Sequence, residues 1–284
     1  MNTFPVDYMC ERLGVSRAGY YAWRKRGPSK HDLDDVALLT KIRAIFDAHQ
    51  GRYGVRRIHQ DLRRQGEAVA YKRVQRLMSE AGLVTVHPAP RRHLTTIQAA
   101  EPSALPDLVK RDFTAKRPNQ LWYGDITYVR TAAGWCYVAS VIDAFSRKVV
   151  GWAIADHMRT ELVVQALRMA IVRRRPPRGV IFHADRGSQY TSHDFVKYCK
   201  SHKIRNSVGR TGICYDNAAA ESFWATLKKE LIHLHAFTDL KQLRAAVFDY
   251  IEAYYNRRRL HSKIGYRAPV EFEAEFDRTK VKAA

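Results

Sequence analysis

The sequence predicts an α/β domain with a mixed β-sheet and flanking helices, preceded by small all-α units of the helix-turn-helix type. Two observations support this fold class. Up to residue 83 the apolar side chains recur at helical spacing, and from Leu121 onward they first alternate as in strands and then mark strands and helices in turn. The stretch between, residues 84–118, is proline-rich with little periodicity and is predicted to be a linker.

Composition limits what kind of protein this is. The 284 residues include 49 Lys and Arg against 28 Asp and Glu, a net charge of +21, and 46% of them are apolar. These values exclude a wholly disordered chain and allow two domains and a small third. Because the basic excess is spread over both halves of the chain, an extended surface for a nucleic-acid backbone is favoured over a merely basic, solvated surface.

The sequence carries no membrane or secretion signal. No apolar run approaches the roughly 18 residues that a membrane span needs, and the first residues lack a basic start and an apolar region. The four cysteines are scattered without a C-x-x-C pair, which argues against a disulfide framework or a zinc site. We therefore expect a cytoplasmic protein with no membrane partner.

Residues 1–28 predict a partial helix-turn-helix. A helix over Val6–Leu13 ends at Gly14. Ser16 then caps a second helix, expected over Arg17–Arg26, which is basic and aromatic. Two helices this short rarely fold alone, so we expect another segment to complete them. The alternative is a plain helical hairpin with an aromatic core. The residues expected to contact DNA are Arg17, Tyr20 and Arg24.

Residues 31–83 predict a second helical DNA-binding unit. Its three helices, each with an apolar stripe, are expected over Asp34–His49, Val55–Arg64 and Tyr71–Ala81. Basic side chains are left on the polar faces, where they either contact DNA or form an ordinary solvated surface. The candidates for DNA contact are Arg56, Arg57, Lys72, Arg73 and Arg76.

Residues 119–284 predict the α/β domain. Three strands separated by short turns, which favour an antiparallel meander, are expected over Leu121–Thr131, Trp135–Ala144 and Lys148–Ala155. The later elements are helices over Thr160–Arg174, Ser192–His202, 217–233 and 238–257, and strands over Gly179–Ala184 and Ile204–Val208. The order βββαβαβα predicts a mixed sheet with helices packed on it.

Three acidic residues occupy unusual positions. Asp125 lies inside a strand, Asp185 follows the end of a buried strand, and Glu221 is early in a helix after three alanines. Alone, a strand-end Asp is a common turn residue and a helix-start Glu stabilises the helix dipole. Together they predict oxygen ligands that converge on magnesium, with raised carboxyl pKa values when no metal is bound. Two such ions suit in-line displacement at a phosphodiester.

Several other side chains allow two interpretations. His183 either orients a ligand or contacts phosphate, or it is an ordinary hydrogen-bonded histidine. The arginines at 257–259 are expected to face phosphate. Four tryptophans are expected to be core residues and not platforms for base stacking, namely Trp122, Trp135, Trp152 and Trp224.

The spacing of the carboxylates resembles that of retroviral integrases and insertion-sequence transposases. Downstream of Asp125, 35 residues separate Asp185 from Glu221, which is the D, D-35-E pattern. Lys228, seven residues after Glu221, matches a basic DNA-contacting position in these families. Further motifs are similar to the IS-three family of insertion sequences over nearly the whole chain. They are W-x-x-D-I-T-Y from Trp122, H-x-D-x-G-S-Q-Y from His183, D-N-A from Asp216, E-S-F from Glu221 and Y-N-x-x-R-x-H from Tyr255.

The resemblance implies a ribonuclease-H-like catalytic domain and the second reading-frame product of such an element. Its activity would be DNA transposition by cleavage and strand transfer. Asp125, Asp185 and Glu221 would hold two Mg²⁺ ions, or Mn²⁺ in their place, with no covalent protein–DNA intermediate. Implied DNA-contacting residues are Lys228, Asn217, Arg210, Arg259 and His261.

The resemblance also implies partners. They are double-stranded DNA, as terminal inverted repeats and as target, further copies of the chain in a synaptic complex, and an upstream reading-frame product. A bacterial, nucleoid-associated location follows.

Two rival functions stay open. A non-catalytic DNA-binding regulator derived from a transposase would not need clustered carboxylates, and a nuclease that only hydrolyses would keep the metal site but not join strands. The sequence departs from the family pattern at Tyr123 and Gly124, where a bulkier β-former and Thr or Ala are common. It also departs at Ala219 and Ala220, where Pro and Met are commoner.

Overall fold

The computed structural model describes residues 4–86, 105–110, 112–209 and 218–283. The chain divides into two compact units, Met1–Thr85 and Val86–Ala284. Most of the predicted linker lies outside the described residues. Within the described ranges, no helix is long and apolar enough to cross a membrane.

The described part of the first unit contains the five predicted helices. They are α1 (Val6–Arg12), α2 (Arg17–Lys25), α3 (Lys30–Ala48), α4 (Val55–Arg64) and α5 (Tyr71–Glu80). Only α3 begins well before its predicted start, because Ser29 and Asp32 form a capping box. The Ser29 hydroxyl accepts the Asp32 N–H at 3.2 Å, and the Asp32 carboxylate accepts the Ser29 N–H at 2.8 Å.

The helices α3, α4 and α5 enclose a buried core. Its fully buried side chains include Ile42, Ile58, Leu62 and Val74. By contrast, α2 buries none of its side chains, and Trp23 is 66% exposed. The alternative of a helical hairpin with an aromatic core is therefore wrong for α1 and α2.

The second unit is built on a five-stranded mixed sheet, as predicted. Its strands are β1 (Leu121–Thr131), β2 (Gly134–Asp143), β3 (Val149–Ala155), β4 (Ile181–Ala184) and β5 (Arg205–Val208). Their order in the sheet is β3-β2-β1-β4-β5. The first three strands form the antiparallel meander, and β4 and β5 continue the sheet in parallel with β1.

Six α-helices accompany this sheet in the described part of the unit. They are α6 (Thr160–Arg174), α7 (Ser188–Thr191), α8 (His193–Ser201), α9 (Ala218–Glu230), α10 (Leu240–Phe248) and α11 (Pro269–Ala283). The predicted helix over 238–257 is α-helical only to Phe248 and continues as a π-helical segment, Asp249–Tyr255. The short α7 and the C-terminal α11 are not anticipated from the sequence pattern.

Glu273 fixes α11 to the sheet unit. Arg174 of α6 donates two hydrogen bonds to the Glu273 carboxylate, at 2.8 and 2.9 Å. Ser146 and Lys148, in the turn between β2 and β3, donate to the same carboxylate at 2.7 and 2.9 Å. Burial raises the pKa of Glu273, but the hydrogen bonds and charge of Arg174 and Lys148 outweigh burial and hold it below its usual value.

Gly151 lets α6 pack directly on β3. A Cβ atom at residue 151 would lie 2.2 Å from the carbonyl oxygen of Ala166 and 2.7 Å from the backbone nitrogen of Ala170. These are helix backbone atoms, which cannot move singly. The glycine therefore sets how closely the helix approaches the sheet.

Gly151→Ala is expected to destabilise the second unit. The added methyl group forces α6 away from β3, and such overpacking costs about 1–3 kcal/mol, with the upper end expected here because backbone atoms are displaced. Thermal unfolding would show a melting temperature lower by roughly 5–10 °C. Gly27→Ala is the control, since a Cβ at residue 27 meets nothing within 4 Å. Equal melting temperatures for the two variants would contradict the close approach.

Candidate active site

The parallel pairing of β1 and β4 brings Asp125 and Asp185 together. Tyr123 on β1 pairs with His183 on β4. Asp125 and Asp185 each follow two residues later, and although β4 ends at Ala184, continuation of this register would place them on one face of the sheet. The charge of Asp185 acts on Asp125, as expected for neighbouring side chains. Neighbouring strands lie about 4.8 Å apart, which puts the two carboxylates within reach of one ion.

The pKa values of the three predicted carboxyls are raised. Burial is the main cause of the pKa of about 8 at Asp125, the charges of Asp185 and Glu221 add to it, and Lys228 and a backbone N–H oppose it. Burial also raises the pKa of Asp185 and, at a partly exposed position, of Glu221. The directions confirm the expectation for the metal-free site.

The helix α9 brings Glu221 to this edge of the sheet. α9 packs against β1, and Ala220 is fully buried, as expected for a small residue at a close contact. Two turns after Glu221, Lys228 is half-buried with Nζ 5.0 Å from the centre of the Tyr128 ring. Burial lowers the pKa of Lys228, while the charge of Asp125 raises it. Lys228 is therefore close enough to Asp125 for the two charges to interact.

Two buried hydroxyls beside Asp125 have no hydrogen-bond partner within the described residues. Ser140 on β2 is directly opposite Asp125 and is 1% exposed. Tyr190 is 2% exposed, and the charges of Asp125 and Asp185 add to the burial that raises its pKa. A buried hydroxyl without a hydrogen-bond partner lowers the stability of the fold by about 1–3 kcal/mol. These two hydroxyls could therefore form hydrogen bonds to water molecules or to a hydrated ion beside Asp125.

This donor set fits magnesium. In the part of the chain that the structure describes, no three His, Cys, Asp or Glu side chains gather closely enough to enclose an ion. Mg²⁺ binds through one or two carboxylates and keeps several waters, so it does not need such an enclosure. Asp125 and Asp185 would be its ligands, and Glu221 on α9 is close enough for its charge to act on Asp125.

The backbone around each aspartate orients its carboxylate. Asp125 Oδ1 accepts the N–H of Ile126 at 2.8 Å, and Asp185 Oδ1 accepts the N–H of Gly187 at 3.1 Å. Gly124 is a glycine because the Phe182 ring fills the space of its side chain, and a Cβ there would lie 2.1 Å from Phe182 Cζ. The departure from the family pattern at residue 124 thus has a steric cause.

His183 and three of the four tryptophans are structural. His183 is 1% exposed, and its Nδ1 is 2.9 Å from the Ser207 hydroxyl on β5, which supports the hydrogen-bonded interpretation. The buried tryptophans are Trp122, Trp152 and Trp224. Trp135 is 47% exposed, so its assignment to the core is wrong.

Arg259 is a correction to the expected phosphate-facing arginine run. It is 5% exposed, and its Nε and Nη2 donate to the Glu230 carboxylate at 2.6–3.0 Å. Tyr250 Oη donates to the same carboxylate at 2.8 Å. Burial lowers the pKa of Arg259, but Glu230 raises it above its usual value. Arg259 is therefore held inside the fold, whereas Arg257 and Arg258 are exposed.

Of the other predicted DNA contacts of the second unit, His261 is the one that lies within the described residues. Arg210 and Asn217 lie outside the described residues. His261 is half-buried, with its ring edge-on to Tyr255 at 4.7 Å, and its backbone bridges to Arg267. Its surroundings are those of a packed side chain.

In the first unit, some DNA-contact candidates lie on the surface. The exposed ones are Arg17, Arg24, Arg56, Lys72 and Arg76. Arg17 pairs with Asp7 at 2.8 Å in an exposed salt bridge. Tyr20 is half-buried beside Tyr21 and Trp23, at ring distances of 5.3 and 6.1 Å.

Three candidates of the first unit take part in its own packing. The Arg57 guanidinium lies 5.7 Å from the centre of the Tyr53 ring. Arg73 and Arg76 of α5 both pair with Asp35 of α3, at 2.6 and 2.5 Å. Asp35 therefore neutralises part of the charge that these two arginines would offer to DNA.

Comparison with known proteins identifies the family. The model described as Integrase core domain matches residues 115–214, a second model with that description matches 202–269, and the HTH-like domain model matches 33–92. Among solved structures, the HTLV-2 integrase catalytic core domain in complex with magnesium is 17% identical with a TM-score of 0.43, over 56% of this chain and 98% of that chain.

Two relatives match over nearly their full length. Transposase InsF for insertion sequence IS3A of Escherichia coli (strain K12) is 41% identical over 280 residues, which cover 95% of this chain and 94% of the relative. The insertion element IS600 uncharacterized 31 kDa protein of Shigella sonnei is 37% identical over 268 residues, covering 94% and 98%. Identity of this extent shows that the chain belongs to the IS-three family of insertion-sequence transposases, with a ribonuclease-H-like integrase core.

Proposed function

We propose that this chain catalyses magnesium-dependent DNA cleavage and strand transfer at the ends of an insertion sequence. The observation that carries the proposal is the register of β1 and β4, which pairs Tyr123 with His183, two residues before Asp125 and Asp185. Beside Asp125, two buried hydroxyls have no hydrogen-bond partner among the described residues. Burial and mutual repulsion raise the pKa values of these carboxyls and so disfavour their charged forms. A bound cation would stabilise the charged carboxylates at such a site.

Each side chain of the proposed site has its own role. Asp125 and Asp185 each give one oxygen to a backbone N–H, which leaves Oδ2 to act as a metal ligand. Glu221 completes the set from α9. When bound, a pair of Mg²⁺ ions, or Mn²⁺ in their place, supplies the Lewis acidity for attack by water or a DNA 3′-OH and for departure of the 3′ oxygen. Lys228 brings a positive charge for the DNA phosphate, and no side-chain nucleophile is required.

The partner of the proposed reaction is double-stranded DNA. The net charge of +21 and the exposed basic residues of α2, α4 and α5 support binding of terminal inverted repeats and of target DNA. Joining two element ends requires that both ends be held close together, so we propose self-association in a synaptic complex. An upstream reading-frame product is proposed as a further partner of α1 and α2, and the bacterial nucleoid as the place of action.

The direct test is resealing of a branched DNA, in which a 3′-OH attacks a pre-joined strand junction. Resealing of this substrate depends least on recognition of the element ends by the protein. We expect resealing by the full chain with Mg²⁺ or Mn²⁺ and none with EDTA. Asp185→Asn is expected to lose at least about a hundredfold in rate, because it removes a ligand charge from the transition state. Asp194→Asn is the matched control, since the Asp194 side chain is 86% exposed.

Two outcomes would favour the rival functions. Absence of resealing, together with no rise in melting temperature on addition of Mn²⁺, would indicate the non-catalytic DNA-binding regulator. Metal-dependent products that are only hydrolysed, without resealed strands, would indicate a nuclease. Metal binding without activity would point to the upstream partner as an essential component.

A further inference from the structure

The hairpin formed by β1 and β2 continues well past the carboxylates. Asp125 is opposite Ser140, and the pairing runs on until Thr131 meets Gly134. The neighbouring strand β4 ends at Ala184, so it does not accompany this extension. At about 3.3 Å per residue, the hairpin reaches about 20 Å beyond Asp125.

One face of this extension alternates positive charge and aromatic rings. Arg130 and Trp135 are paired across the two strands, and Tyr128 lies on the same face two residues before Arg130. The Tyr128 and Trp135 ring centres are 5.3 Å apart at an angle of 77°. The Arg130 guanidinium is 5.2 Å from the Trp135 ring, and Lys228 Nζ is 5.0 Å from the Tyr128 ring. We call Tyr128, Arg130 and Trp135 the hairpin platform.

By strand alternation the hairpin platform is on the face of β1 opposite to Asp125, and Lys228 is the side chain that lies near both. The charge of Lys228 acts on Asp125, while its Nζ lies over the Tyr128 ring. Along the hairpin, Tyr128 therefore lies nearer to Lys228, and the paired Arg130 and Trp135 lie further out. The outer end lies about 17 Å from Asp125 along the strand, the length of about five stacked nucleotides.

Packing within the chain does not explain why the aromatic side chain of Trp135 occupies this position. Trp135 keeps 47% of its surface exposed, although tryptophan is among the side chains that gain most from burial. Two cations flank the pair of rings. Aromatic rings between positive charges are what proteins present to single-stranded nucleic acid, where bases stack on the rings and phosphates pair with the cations.

We propose that the hairpin platform binds an unpaired nucleotide next to the reacting phosphate, with its base stacked on Trp135 and its phosphates near Arg130 and Lys228. The inference rests on the proposed function. Attack of a 3′-OH on one strand of a duplex gives a branched junction, in which bases beside the junction lose their partners. Within a continuous duplex both faces of each base are covered by its neighbours, so an indole stacks more readily on a base that has left its pair, and the platform would favour a junction over an intact duplex.

The test is binding of labelled DNA by fluorescence anisotropy with EDTA present. One DNA carries an unpaired flap of five nucleotides at a junction, and the other is a fully paired duplex of equal length. We expect the wild-type chain to bind the flap DNA more tightly. Trp135→Ala is expected to weaken flap binding by about fivefold or more and to leave duplex binding unchanged. Trp135→Phe, which keeps a ring, is expected to retain most of the preference.

The controls separate stacking from loss of structure and from catalysis. Phe248→Ala removes another exposed aromatic side chain of the same unit, one that is 50% exposed on α10, and should leave both affinities unchanged. Equal melting temperatures would show that Trp135→Ala folds normally. Because EDTA excludes metal-dependent chemistry, a flap preference that is lost in Trp135→Ala supports the platform even if the branched DNA is never resealed.

Two results would overturn the proposal. In the first, Trp135→Ala keeps the wild-type ratio of flap to duplex affinity. In the second, Trp135→Ala loses the flap preference together with self-association in light scattering, which would assign the face to contact between copies of the chain.

Discussion

Glu221→Gln is expected to abolish strand joining while DNA binding stays close to that of the wild-type chain. The substitution keeps the volume of the side chain and removes its negative charge, which the proposed metal site needs. Electrostatic groups at a reacting phosphate are worth at least about a hundredfold in rate each, so joining should fall below detection in the branched-DNA assay. DNA affinity, measured without metal, should change little because Glu221 is acidic and gives no attraction to phosphate.

Glu161→Gln is the matched control for this prediction. Glu161 occupies the first turn of α6 as Glu221 occupies that of α9, and both side chains are exposed. The control should therefore reproduce any effect of losing a carboxylate near a helix start, which is worth about 0.3–1 kcal/mol. Joining by Glu221→Gln at the rate of the control would refute the role of Glu221.

Arg259→Met is expected to give the largest loss of stability. It leaves the buried Glu230 carboxylate without its guanidinium, and breaking a buried ion pair in this way costs about 3–5 kcal/mol. Thermal unfolding should show a melting temperature lower by roughly 10 °C. The neighbouring variant Arg257→Met removes an exposed arginine and should change stability by no more than about 0.5 kcal/mol.

A second substitution shows whether the unpaired charge is the cause. In Glu230→Leu combined with Arg259→Met, an apolar pair replaces the ion pair, and such replacements are often neutral or stabilising. We expect the double variant to recover most of the lost stability. If Arg259→Met were as stable as the wild-type chain but weaker in DNA binding, the phosphate-facing role of Arg259 would be reinstated.

Local patterns predicted most of the elements because each was marked by its own residues. The capped helices of the first unit and the alternating strands from Leu121 onward are examples. The pattern did not predict the capping box at Ser29, which extends α3 backward, or the π-helical segment after Phe248. It also missed α11, whose attachment depends on Glu273 reaching Arg174, almost a hundred residues away in sequence.

The candidate site was predictable in part. Asp125, Asp185 and Glu221 could be recognised from residue type and spacing, but Ser140 and Tyr190 could not be assigned to it. Ser140 is identified only by the β1–β2 register, and Tyr190 resembles a core aromatic until its hydroxyl is seen to lack a partner within the described residues. Arg259 was misassigned because a run of three arginines does not reveal which one turns inward.

The shared space at Gly124 and Phe182 has a consequence for variation among relatives. The Phe182 ring occupies the volume that any side chain at residue 124 would need. A relative with a larger residue at position 124 must therefore carry a smaller residue than phenylalanine at position 182. The two positions should covary, and exchanging only one of them between relatives should harm both proteins, whereas exchanging the pair should be tolerated.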